Sequence, residues 1–199
     1  MFKKINKKMH ASAGVLVLVL LLCSFAGVAY AAFVDKGQVL GSTFSVGSAD
    51  LKLLRDLSLG ADGANLADEI QGPSFSNISS NWTADYLVKL YNNGSSRVTV
   101  TTNSDYLTAN DPDELRQLIY VEIIEWNDAN SDGTADETEL GVSYGRDTIV
   151  KWKTQGFSLG SIDAGAVKGL VVRFSTGTVS DTKQGAVGIF DFEFNSIGE

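Results

Sequence analysis

Residues 128–139 read Asp128-Ala-Asn130-Ser-Asp132-Gly133-Thr134-Ala-Asp136-Glu-Thr-Glu139. This is the ligand order of a twelve-residue calcium loop. Calcium is a hard cation that takes six to eight oxygens. Asp128, Asn130 and Asp132 would supply side-chain oxygens, and Thr134 its backbone carbonyl. Asp136 would bind directly or through water, Glu139 with both carboxylate oxygens, and Gly133 would make the sharp turn. Four carboxylates packed this closely repel one another unless a cation lies between them. The plainer alternative is an acidic, solvated connection built on Asn/Asp/Gly turn chemistry. The sequence expectation is bound Ca2+ with a structural role.

Other chemistries are narrowed by composition. The chain has 199 residues, with one His and one Cys. Those are His10 and Cys23, both inside an N-terminal segment that reads as a secretory signal. Lys3, Lys4, Lys7 and Lys8 form a basic start, residues 11–32 carry no charge, and Ala29-Tyr30-Ala31 is a small-x-small cleavage site. An uncharged run of this length also has the reach of a membrane anchor. Lipidation at Cys23 is a further alternative, opposed by the large Leu22 before it. Cleavage after residue 32 removes the only thiol and the only imidazole. The remainder then lacks the ligands of a zinc hydrolase and the base of a Ser-His-Asp or Cys-His site. A carboxylate pair for glycoside cleavage and a Ser–Lys dyad stay open on composition, with no pair singled out. The sequence expectation is a protein that is not an enzyme.

Charge points the same way. The formal net charge is −8, and it becomes −12 once the four N-terminal lysines are removed. That balance disfavours nucleic acid and anionic membrane surfaces and favours cations. Membrane contact is expected only through the signal segment before cleavage. Asn77, Asn81 and Asn93 each begin an N-x-Ser/Thr sequon, which matters only in a host with the glycosylation machinery.

The loop must be held by flanking elements, and these read as strands. Residues 118–126 are apolar except for Glu122 and Glu125, and residues 140–144 contain Gly141 and show no helical period. A helix–loop–helix hand is therefore not expected; the loop joins two strands. Further short strands are expected at residues 33–40, 44–46, 49–54, 86–91, 97–102, 148–152, 169–174 and 187–194. Asn92-Asn93-Gly94-Ser95 is a turn between two of them, and Phe190, Phe192 and Phe194 alternate with acids in the last. Asp111-Pro112-Asp113-Glu114 predicts one short helix, with Asp111 as N-cap and Glu114 closing a capping box, and residues 65–70 another turn. The predicted fold class is all-β: a single jelly-roll-like antiparallel β-sandwich preceded by an N-terminal signal helix. The expected divisions are a signal peptide over 1–32, a strand segment over 33–47, and a sandwich domain over 48–199 carrying the 128–139 loop.

Several short motifs resemble the TasA/camelysin-type proteins, which are exported through a SipW-type signal peptidase. Ala31-Ala32-Phe33-Val34-Asp35 is followed by Thr43-Phe44, Gly47 and Asp50-Leu51-Lys52-Leu53. Val88-Lys89-Leu90-Tyr91-Asn92-Asn93-Gly94-Ser95, Ile162-Asp163-Ala164-Gly165 and Gln184-Gly185 continue the order. Ala164-Gly165 stands where the family usually has Pro-Gly, and the acidic loop lies outside the pattern. The resemblance implies a secreted jelly-roll subunit that polymerises head to tail with copies of itself into surface or biofilm-matrix fibres. In such fibres a freed N-terminal strand adds to the sheet of the next copy. The candidate residues for that contact are Phe33, Val34, Val39 and Leu40. Two rivals remain: a monomeric calcium-binding adhesion or glycan-binding domain that keeps this strand in its own sheet, and a camelysin-like peptidase.

Overall fold

A computed structural model of the chain describes residues 43–47, 49–75, 78–183 and 186–198. The signal segment and Phe33, Val34, Val39 and Leu40 lie outside the described residues. The strands are β1 (Thr43–Gly47), β2 (Leu51–Leu54), β3 (Leu66–Ala67), β4 (Glu69–Gln71), β5 (Thr83–Asn92), β6 (Val98–Asp105), β7 (Ile119–Trp126), β8 (Leu140–Thr148), β9 (Phe157–Ile162), β10 (Val167–Thr176) and β11 (Asp191–Gly198). Among the described residues one α-helix, α1 (Ile149–Gln155), joins β8 to β9.

Among the described residues the strands form two sheets, ordered β4-β1-β11-β6-β9 and β3-β2-β5-β10-β7-β8. The pairs β1–β11, β5–β10, β6–β9 and β7–β8 nest one inside the next along the chain. A long hairpin rolled over two sheets has this pairing, so the sandwich is a jelly roll. It departs from the antiparallel expectation in one ladder: β1 runs parallel to β11, with Phe44 opposite Phe192. The extra strands β2, β3 and β4 fall between β1 and β5 in the chain, and β4 pairs antiparallel with β1 at the sheet edge.

The period-2 patterns become two facing apolar layers. Leu53, Val88, Leu90, Val100, Val121, Ile123, Leu170, Val172, Phe192 and Phe194 are buried in one core. Central strand β10 is also covered on its outer face, where Val171 joins Ile124 and Trp126 in a second cluster capped by Leu57 and Ala135 from loops. Apolar residues on both faces are what a strand flanked by neighbours and roofed by loops requires.

Five local expectations change. Residues 148–152 are not a strand: Thr148 caps α1 through a bond from the Lys151 N–H, and the helix stops at Gly156, whose φ is 66°. Thr148, Ile149 and Val150 favour β structure locally, but Ile149 and Trp152 at i and i+3 bury one helical face. Trp152 stacks on Phe192 at 4.8 Å, and its indole N–H donates to the Thr102 carbonyl. The turn at residues 92–95 does not close a hairpin, because β5 and β6 belong to opposite sheets. Buried Asn92 pins that crossing by donating to the Ser96 and Ile162 carbonyls and accepting from Gly94 N–H.

The expected helix after Asp111 contracts to a 3-10 turn, Leu115–Gln117, preceded by Glu114 in the left-handed region. Its N-cap is Glu114, not Asp111, and no capping box forms; the buried Asp111 carboxylate nevertheless accepts from the N–H groups of Leu115 and Arg116 and from the Arg116 guanidinium. Residues 65–70 form β3 and most of β4 rather than a turn of helix. Asn65 there serves the preceding loop, donating to the Asp56 and Gly60 carbonyls. The last strand begins at Asp191, later than the predicted 187, with Phe190 buried just before it.

Candidate functional site

The acidic loop joins β7 to β8, two neighbouring antiparallel strands, so it is carried by a hairpin and not by a pair of helices. Its first half is knit together. Asp128 accepts from the N–H groups of Asp132 and Gly133, both at 3.1 Å. Asn130 Oδ1 accepts from Asp132 N–H at 2.9 Å, and its amide donates to Asp132 Oδ2 at 2.9 Å. Asp132 Oδ1 in turn accepts from the Thr134 N–H and hydroxyl, at 2.7 and 2.6 Å. Gly133 has φ 73°, and a Cβ there would lie 2.8 Å from the backbone nitrogen of Ser58. Only glycine allows this turn to pack against the neighbouring 56–65 loop.

The second half is arranged separately. Asp136 accepts from the N–H and hydroxyl of Thr138. Glu139 is buried and accepts from the Trp126 indole N–H at 3.2 Å. The structure thus brings Asp128, Asn130, Asp132 and Thr134 together and holds Asp136 and Glu139 on other partners. Among the described residues, no three His, Cys, Asp or Glu side chains converge on one point that would hold a metal ion.

The residue that sequence reading missed is Lys89. Its ammonium donates to Asp128 Oδ2 and to the Leu57 carbonyl, each at 2.6 Å, and lies 4.9 Å from the centroid of the Trp126 ring. Across the sheet, Gly169 is opposite both Lys89 and Trp126. With no side chain at Gly169, the lysine stem has a clear lane to the tryptophan face. The same glycine permits close strand approach, since a Cβ would sit 2.4 Å from the Trp126 carbonyl oxygen. One signal was present in the sequence: a lone cation within the apolar run of β5. Lys89 thereby ties the 56–65 loop to the acidic loop over a cavity of about 320 Å³.

The electrostatics follow. Burial pushes the Asp128 carboxyl up, but the Lys89 ammonium and the Gly133 and Asp132 N–H donors outweigh it and hold it below the usual carboxylate range. Hydrogen bonds from Thr134 lower Asp132, and those from Thr138 lower Asp136. All three are anions at neutral pH. The donor types suit a hard cation, and the Asp-Asn-Asp-Gly turn fits the first half of a calcium loop. Asp128 would share its carboxylate with Lys89, and Glu139 would exchange its Trp126 bond for the ion.

The fold places the chain among all-β sandwich proteins. No family model matches it, and no curated protein does. Among solved structures it is similar to the ASH/PapD-like domain of human CEP192 (PapD-like domain 7) at 9% identity and a TM-score of 0.29, over 85% of this chain and 96% of that one.

Proposed function

We propose that the protein is a secreted structural subunit of extracellular surface or matrix fibres. In this reading residues 33–40 of one copy add as a strand to a sheet edge of the next. The observation that carries it is the free edge at β8. The strand is nine residues long, ends its sheet and, among the described residues, pairs only with β7. The other edge strands are shorter: two residues in β3, three in β4 and six in β9. A long open edge is a template for an incoming strand, and a donor strand from one copy added to the next gives head-to-tail contacts that need not close. The family resemblance at residues 31–53 supports the same reading.

The 128–139 loop belongs to the proposal as a calcium clamp on the β7–β8 connection. The supporting feature is the Asp128, Asn130, Asp132 and Gly133 turn described above. Bound calcium would neutralise the carboxylates that Lys89 leaves unpaired, and so would stiffen the root of β8. The test is negative-stain electron microscopy of the exported protein in calcium and in chelator. Filaments are expected, more abundant in calcium. Discrete particles in both conditions would instead support the monomeric adhesion domain.

A further inference from the structure

An apolar cavity of about 130 Å³ opens at one end of the sandwich, lined by Phe75, Trp82, Ile119, Phe174, Phe190 and Phe192 among others. Val187, at its wall, is 67% exposed. An apolar cavity of about 150 Å³ takes a benzene ring, so this one has room for a single leucine or valine side chain. Three chain segments meet at the same end. β1 runs parallel to β11, so Thr43 lies beside the start of β11, where Phe192 pairs with Phe44. β4 is antiparallel to β1, and Gln71 opposite Thr43 leads directly to cavity residues Pro73 and Phe75. Thr43, the first described residue, therefore stands at the cavity end.

The sequence before Thr43 is apolar where it matters. Val39 and Leu40 stand three or four residues before Thr43, followed by Gly41. Three extended residues span about 10 Å, enough to bring Leu40 to the cavity mouth. We propose that this cavity is the seat of the chain's own N-terminal segment, with the Val39–Leu40 pair supplying the apolar plug. Tethering favours the same chain over a second copy, because a short linker holds its ligand at about millimolar effective concentration. The seat does not require polymerisation. Where fibres form, it is the resting state from which the segment must be released, so the cavity would act as a brake on premature assembly.

The chain lends itself to a disulfide test, because Cys23 is its only cysteine. In the full chain carrying Cys23→Ser, Leu40→Cys is combined with Val187→Cys at the cavity wall. The control combines it with Leu107→Cys, which is 61% exposed at the same end of the sandwich, just beyond the Asp105–Asp191 pair. With dilute protein and mild oxidant, the Val187→Cys pair is expected to close within one chain at least about tenfold faster than the control, as a seated tether requires. Equal rates would overturn the seat. A bond formed only between chains would also overturn it and assign the cavity to a second copy. As an independent readout, Leu40→Asp should increase binding of an apolar fluorescent dye to the folded protein; unchanged dye binding would count against the plug. Microscopy for filaments on the unsubstituted protein decides the fibre reading separately.

Discussion

Lys89 and Asp128 form a pair whose value lies in being complete. The Asp128 side chain is 3% exposed and that of Lys89 10%. Removing one member strands the other charge in a low-dielectric site. Lys89→Met is therefore expected to destabilise the fold by about 3 kcal/mol, measured from urea midpoints, with much of the loss recovered by adding Asp128→Asn. The pair also sets a pH dependence. Because Asp128 is held below its unfolded pKa, its contribution is full above about pH 4 and fades as the pH falls through the lower, folded value. The Lys89→Met variant should lose less stability between pH 7 and pH 3 than the parent does. At the neighbouring ligand position, Asp132→Ala should abolish a calcium-dependent rise in melting temperature of about 5 °C at a hundredfold excess over Kd. Equal melting of the parent in calcium and in chelator would remove the calcium reading.

At the level of elements, α1 and β8 carry most of the consequence. The seven-residue helix exists because tertiary packing rewards it: Trp152 is fully buried and stacked on Phe192. Trp152→Ala should cost about 3–5 kcal/mol in a denaturant titration, and Trp152→Phe much less. β8 tells the opposite story. It is part-exposed, with Val142 61% exposed, and among the described residues its ladder partner is β7, while Gly145 packs against Phe157 of β9. A lysine on an open edge discourages strand addition without touching the core. Val142→Lys should keep the melting temperature within about 1 °C, as surface substitutions do, while reducing filament number in microscopy. Unchanged filaments would move the receiving edge away from β8.

For the whole molecule, the sandwich and the segment before it have separable duties. Residues 43–198 supply both sheets and both clusters of core residues. Deleting residues 33–40 is expected to leave a cooperative, folded monomer that forms no filaments, judged by calorimetry and microscopy together. Filaments from the deleted chain would end the strand-addition reading. A modest fall in melting temperature in the same protein would accord with an emptied cavity at the β11 end, since lost apolar burial costs about 25 cal/mol per Å².

The sequence by itself determined the alternation that makes β6, β7 and β11 half-dry strands, and hence an all-β chain. It also determined the order of oxygen ligands in the acidic loop and the absence of a helical hand around it. These are local properties, readable from side-chain period and spacing. Only the tertiary structure decided that Thr148-Ile149-Val150 begins a helix, because the gain comes from Trp152 meeting Phe192 from the other sheet. It alone sent β5 and β6 to different sheets and ran β1 parallel to β11, since turn residues specify a bend and not the sheet on which the chain lands. And it alone brought Lys89, 39 residues earlier in the chain, onto Asp128, through a lane that Gly169 opens from a third strand.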